Sequence, residues 1–172
     1  MDILNTIKSR RSIREFKQKE IPGEIVEKLK EALIWAPSAG NLQSRKFYFV
    51  FDKETKEQLT QAALGQDQIS QAPLAVVVCA DQKKSESKYK ERGRDLYCII
   101  DASLSIQNMM LVATEEGLGT CWAGALDEDM LRKILNLSES LKPIGIIPVG
   151  YADESPEPPK RISIEEAVEE IK

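Results

Sequence analysis

The stretch LYCIIDASLSIQNMMLVATEEG, from Leu96 to Gly117, carries apolar side chains on nearly every side when wound as a helix. Cys98, Ile99, Ile100, Ala102, Leu104, Ile106, Met109, Met110, Leu111, Val112 and Ala113 leave it no polar face. A helix apolar all round is buried on more than one side. In a chain of 172 residues, a one-domain length, it is either a central helix or one shared across a subunit interface. Met109 and Met110 read as core packing within it. Gly117 and Gly119 end it.

Upstream, residues 81–95 mix Lys83, Lys84, Lys88, Lys90, Arg92 and Arg94 with Asp81, Glu86, Glu91 and Asp95. Such a run is a solvated surface segment or a flap beside a site. Leu74 to Ala80 is a continuous apolar, β-branched run after Pro73, the signature of a strand buried on both faces. Lys46 to Phe51 reads as a second strand. Helices are expected over residues 2–9, with Asp2 near the start, over Pro22 to Ala36, where Ile25, Leu29, Ala32 and Leu33 form a stripe, and over 54–63. Pro37 stops the second of these and opens a small polar loop. Downstream, Thr120 to Ala123 is a short strand, 128–135 a helix and Ile144 to Tyr151 a final strand. Pro156, Pro158 and Pro159 keep the tail extended before a short helix at Ile164 to Ile171.

Composition removes whole classes of chemistry. There is no histidine, so Ser-His-Asp and Cys-His catalysis and His-ligated zinc or haem are out. The three cysteines, Cys79, Cys98 and Cys121, are odd in number and form no C-x-x-C, so they are expected to be reduced, packed thiols. With 24 basic and 28 acidic residues the net charge is -4, which argues against nucleic acid as a partner. The longest wholly apolar runs are too short for a membrane span, and the N-terminus lacks the apolar core of a secretory signal. A cytoplasmic enzyme whose hard chemistry comes from a cofactor is the expectation. Neither a Rossmann nor a P-loop fingerprint is present.

Four local constellations stand out. Arg10, Arg11, Ser12 and Arg14 set three guanidiniums and a hydroxyl within five residues, either a solvated basic face or a phosphate cradle. The loop Pro37, Ser38, Ala39, Gly40, Asn41, Leu42, Gln43 is either an ordinary helix-ending loop or a set of amides for the edge of a flat heterocycle. Gly117-Leu118-Gly119-Thr120-Cys121-Trp122-Ala123-Gly124-Ala125 is a turn and strand, or a place where backbone approaches a ligand closely. Lys160 and Arg161 follow the proline-rich arm.

Taken in order, R-R-S-I-R, then A-P-S-A-G-N-L-Q, then G-L-G-T-C-W-A-G-A, then P-V-G-Y with a basic proline-rich tail, the chain resembles the FMN-dependent nitroreductase family from about Leu4 to Val168. The resemblance implies one α+β domain over 1–172, with a central, mainly antiparallel sheet flanked by helices. It also implies an intertwined homodimer with two FMN sites at the interface.

By that resemblance Arg10, Arg11, Ser12 and Arg14 hold the FMN phosphate and the ribityl or pyrimidine side. Ser38, Asn41 and Gln43 reach the flavin edge from the partner subunit, with Pro37 and Ala39 packing beside it. Trp122, Ala123, Gly124 and Ala125 lie by the isoalloxazine, with a backbone N–H of Gly124 or Ala125 near N5, where an amide donor stabilises developing charge. Gln68 stands where the family often has a basic contact to the pyrimidine. Lys160 and Arg161 fall on the phosphate side, the lysine one place nearer the arginine than the family's K-x-R.

The implied activity is hydride transfer from NADH or NADPH through flavin N5 to a nitroaromatic, quinone or free flavin, in ping-pong turnover with no catalytic side chain. Two alternatives stay open: a specialised member of the fold (dehalogenase, flavin-fragmenting enzyme or enone reductase), and a flavin-binding redox carrier.

Overall fold

In the computed structural model, which describes residues 2–172, the chain opens with α1 (Ile3–Ser9), capped by the Asp2 carboxylate. It continues through α2 (Gly23–Ile34), a 3-10 turn at Ala39–Asn41 and β1 (Arg45–Val50). α3 (Lys53–Ala62), α4 (Gln68–Gln71), β2 (Leu74–Asp81) and α5 (Gln82–Arg92) follow. A π-helical turn, Gly93–Tyr97, leads into α6 (Cys98–Glu115). Then come β3 (Gly119–Thr120), α7 (Glu128–Leu135), β4 (Leu141–Gly150) and α8 (Ile164–Ala167).

The four strands form one antiparallel sheet in the order β1-β2-β4-β3. Every residue of β2 from Leu74 to Ala80 is buried because helices cover both faces. Its even-numbered side chains, Leu74, Val76 and Val78, pack with Leu29 and Leu33 of α2 and Ala102, Ile106 and Met109 of α6. Its odd-numbered ones, Ala75, Val77 and Cys79, pack with Leu59 of α3, Ile69 of α4 and Leu131 of α7. Strand alternation thus feeds two cores from one run, and each fully buried leucine or isoleucine contributes about 1.5–3 kcal/mol. α6 packs beside α2 on one face of the sheet and leaves Ile100 and Leu104 exposed, so a single chain buries one side of the helix whose all-round apolarity predicts burial on more than one.

β4 carries two prolines in a strand with neighbours on both sides, which the ladder tolerates only where no donor is needed. Pro143 flanks a bulge, since Gly145 faces Val78 while Pro143 faces Cys79. Ile146 exchanges both backbone bonds with Ala123, so Pro148, two residues on, also faces the β3 side. There it lies opposite Cys121, between the Thr120–Val149 and Ala123–Ile146 pairs. The missing N–H explains why β3 stops at Thr120 rather than running to Ala123 as the sequence suggests.

Residues 81–95 are mostly exposed, the solvated surface segment that their mixed charges suggest, and they are helical rather than an open flap. The Asp81 carboxylate caps α5. The chain then turns back at Lys90, whose φ is 54°, so that Gly93 packs on the Ser85 backbone and Tyr89 meets Tyr97 edge to face at 5.1 Å. The helical run Gln82–Glu115 meets the length and hydropathy of a membrane span, but it is folded back on itself, and its apolar half is the core helix. The tail helix ends at Ala167, four residues short of Ile171.

Candidate functional site

Residues 10–16 run along the free side of β3. Ser12 bridges Thr120, the Ile13 N–H donates to Thr120 O at 2.9 Å, and Phe16 bridges Ala152. Ile13 crosses β3 so closely that a Cβ on Gly119 would stand 2.6 Å from it, which is why glycine is there. This strand-like path ends α1 at Ser9 and aims Arg10, Ser12 and Arg14 into an open cavity of about 370 Å³, also lined by Arg11 and Arg161.

Four guanidiniums therefore face a single lining carboxylate, Glu157. Among the described residues, no carboxylate lies within 4.0 Å of the Arg10, Arg14 or Arg161 guanidinium. Arg11 differs: its guanidinium donates to the carbonyls of Lys8, Ser9 and Arg10, closing the end of α1. Lys160 is exposed and does not join the cavity wall. Thr120 Oγ1, buried beside Ser12, has no hydrogen-bond partner. The Cys121 thiol is pushed up by burial, opposed by the charge of Arg14 and a bond to Ser12, which places it against the same cluster.

The 122–125 segment continues from this edge. The Trp122 indole lies across Gly145 and Gly124; a Cβ at Gly145 would come within 2.8 Å of the ring. Among the described residues the N–H groups of Gly124 and Ala125 have no protein acceptor, and both residues are exposed. Gln66, which the sequence reading missed, links Gln68 to this segment: Gln68 Nε2 donates to Gln66 Oε1 at 3.3 Å, and Gln66 Nε2 donates to Ala125 O at 3.4 Å.

The second polar loop lies elsewhere. Gly40, Asn41 and Gln43 all have positive φ, 55°, 56° and 52°. The loop is closed by Ser38 Oγ, which accepts the Gln43 N–H at 2.9 Å, and by Gln43 Nε2, which donates to Asn41 Oδ1 at 3.4 Å. Asp101 of α6 holds it by accepting the Ala39 N–H. Arg45 closes its base by donating to the carbonyls of Ile34, Ala36 and Pro37. Asp101 is the one charged residue between Cys98 and Thr114, the only mark it leaves in the sequence. Because β1 and β3 are opposite edges of the sheet and residues 10–16 run one strand further out, this loop and the arginine cluster are about 19 Å apart by strand spacing alone. In one chain Pro37, Ser38, Ala39, Asn41 and Gln43 do not meet Arg10, Ser12 and Arg14.

An antiparallel sheet covered by helices on both faces, with a guanidinium-lined cavity at one edge and an amide loop at the other, defines an α+β protein rather than a doubly wound parallel sheet. The chain belongs to the Nitroreductase family, whose sequence profile matches residues 7–92 and 62–151. It is 33% identical over 160 residues, 91% of this chain and 80% of the relative, to a provisionally named NADH dehydrogenase/NAD(P)H nitroreductase of Methanothermobacter thermautotrophicus. Its fold matches an FMN-dependent nitroreductase of Clostridium difficile R20291 with a TM-score of 0.82 and 29% identity, covering 94% of this chain and 95% of that one. It also matches the NADPH:FMN oxidoreductase of Vibrio harveyi in complex with NAD+, with a TM-score of 0.91 and 26% identity, covering 100% of this chain and 78% of that one.

Proposed function

We propose that the protein is a cytoplasmic, homodimeric FMN oxidoreductase that takes hydride from NADH or NADPH and reduces an electron-poor small molecule in ping-pong turnover. The acceptor class is nitroaromatics, quinones or free flavins. The observation that carries this reading is the convergence of Arg10, Ser12, Arg14 and Arg161 on one cavity, at the sheet edge from which the chain runs on past Cys121 to the free N–H groups of Gly124 and Ala125.

The donor set fits FMN. Guanidiniums without carboxylate partners suit a phosphate dianion, which they bind through paired N–H donors. Bound FMN supplies the redox chemistry, accepting hydride at N5 and passing the electrons on. Arg10, Arg14, Arg161 and Ser12 anchor the phosphate end. The exposed N–H groups of Gly124 and Ala125 would supply backbone donors to the flavin ring, and Gln68, steadied by Gln66, would supply a side-chain amide to it. No side chain moves a proton in this scheme; solvent does.

Dimerisation is the second half of the proposal. The amide loop and the arginine cluster sit at opposite edges of the sheet, so a two-fold partner can bring the loop of one chain to the cluster of the other. Leu96, Ile100 and Leu104 are exposed at four-residue spacing where the chain enters α6, and Ile3, Leu4 and Ile7 are exposed on α1. Exposed apolar stripes of this kind suit burial against a partner. The three buried free thiols suit a reducing compartment.

The test is the visible spectrum of the purified protein, followed by anaerobic titration with NADH and NADPH. Flavin bands that either donor bleaches and a nitroaromatic restores are the expected result. A colourless protein that takes up no FMN overturns the reading.

A further inference from the structure

The densest charge in the chain, residues 81–95, has no role in the site described above, yet the structure sorts its cations sharply. Arg94 is neutralised by Asp95 at 2.8 Å and Glu86 at 3.7 Å. Arg92 donates to the Tyr97 hydroxyl at 2.9 Å and stacks on its ring. Lys84 and Lys88 have no carboxylate within 4.0 Å among the described residues, and neither does Lys46 on β1.

Lys84 and Lys88 converge on the amide loop. Lys84 Nζ lies 3.4 Å from Gln43 O. Lys88 Nζ stands 2.7 Å from where a Cβ on Gly40 would be, and the Tyr89 hydroxyl closes on the same point. Gly40, already at φ 55°, is therefore also the gap that seats α5 on the loop. Between loop, α5 and β1 opens a cavity of about 360 Å³ lined by Gln43, Lys46, Lys84, Phe47, Ile34 and Arg45. The Arg45 donors are spent on backbone carbonyls, which leaves Lys46 and Lys84 as the cations of the lining without a carboxylate partner, with Lys88 beside Gly40 on the same loop.

We propose that Lys84, Lys88 and Lys46 form a phosphate site for the pyridine dinucleotide that serves as electron donor. This rests on the flavin reading above, because Gln43 is shared between the cavity and the loop that reaches the partner's flavin. It is a second anion site, at the sheet edge opposite the Arg10–Arg161 cavity. Lysine is suited to it as a mobile point charge for a ligand that must arrive and leave in each turnover. The phosphate is either the 2′-phosphate of NADPH or the pyrophosphate common to both donors.

The experiment measures binding of adenosine 2′,5′-bisphosphate and of ADP to the FMN-loaded protein by calorimetry, and KM for NADPH and NADH. It uses the wild type, Lys46→Gln, Lys84→Gln, Lys88→Gln and the double variant Lys84→Gln/Lys88→Gln. Loss of a charge-assisted contact weakens binding about tenfold per lysine. Weakening confined to the bisphosphate and NADPH supports the site and assigns the 2′-phosphate. Equal weakening of ADP and NADH supports it and assigns the pyrophosphate. Unchanged affinities and KM values in every variant, or a flavin-loaded wild type that binds neither nucleotide, overturn it. Lys53→Gln on α3, paired with Glu57 far from the loop, controls for charge loss alone. Failure of the flavin reading shows separately, as a wild type that takes up no FMN.

Discussion

Asp101 Oδ1 accepts the backbone N–H of Ala39 at 2.9 Å, joining the core helix to the amide loop across 62 residues of chain. Asp101 is only 2% exposed, its Oδ2 lies 3.5 Å from the Ser44 N–H, and its backbone carbonyl accepts from Arg45 at 3.4 Å. A buried carboxylate in an otherwise apolar helix persists because it satisfies buried backbone donors. Asp101→Ala orphans those donors and removes the carboxylate charge that favours the charged form of Arg45. We expect a loss of about 3 kcal/mol in urea unfolding. Asp101→Asn, which keeps one acceptor oxygen, should recover part of it. FMN affinity should fall in Asp101→Ala if the loop serves the flavin; a variant as stable and as tight as the wild type would refute the clasp.

Arg11 and its neighbours should separate stability from ligand binding. Arg11→Ala removes donors to the Lys8, Ser9 and Arg10 carbonyls and should lower stability by about 1 kcal/mol. Arg10→Ala or Arg14→Ala should weaken FMN binding at least about tenfold while leaving the melting temperature of the FMN-free protein near that of the wild type. Equal effects of all three on FMN would contradict this division.

Gly145→Ala tests the seat of Trp122. A Cβ there would stand 2.8 Å from indole atoms, so the ring must tilt away. Overpacking of this kind costs about 1–3 kcal/mol. We expect a lower melting temperature and a shifted tryptophan emission; an unaltered emission spectrum would mean that the indole does not rest on Gly145.

The thiols should be silent in the native protein. Burial raises all three, and pushes Cys79 up to about 12. Alkylation at pH 8 should label none of Cys79, Cys98 and Cys121 before unfolding and all three after it. Labelling of native Cys121 would show that its edge of the sheet opens.

The stability profile against pH follows from the same shifts. A raised thiol favours the fold fully below the unfolded thiol value of about 8.5, and that contribution is lost as pH rises toward 12. On the acid side the Thr55 hydroxyl and N–H hold the Asp52 carboxylate below its usual range. Its contribution is present above about 3.9 and is lost as pH falls through the lower folded value. The urea midpoint should therefore decline at both ends, and Cys79→Ala should make the alkaline decline shallower.

Much of this could be read along the chain because the physics was local. Leu74 to Ala80 announced a strand buried on both faces by having no polar alternation. Leu96 to Gly117 announced the core helix by having no polar face. Pro22 and Pro37 bracketed α2 to within a few residues. α5 escaped notice because its mixed charges carry no apolar stripe; it is held by the Asp81 cap, the Gly93–Ser85 contact and the Tyr89–Tyr97 pair. The early end of β3 escaped notice because Pro148 acts on it from 27 residues away.

The sequence alone determined the set of cations, amides and glycines available, the absence of histidine chemistry, and the family, because these depend on residue identity and order. Only the tertiary structure decided which of them meet. Sheet order set the arginine cluster and the amide loop at opposite edges, α1 claimed Arg11 for its own carbonyls, and α5 carried Lys84 and Lys88 to the loop. Those outcomes depend on packing between segments far apart in the chain, where burial and hydrogen-bond satisfaction choose among arrangements that local propensity leaves equal.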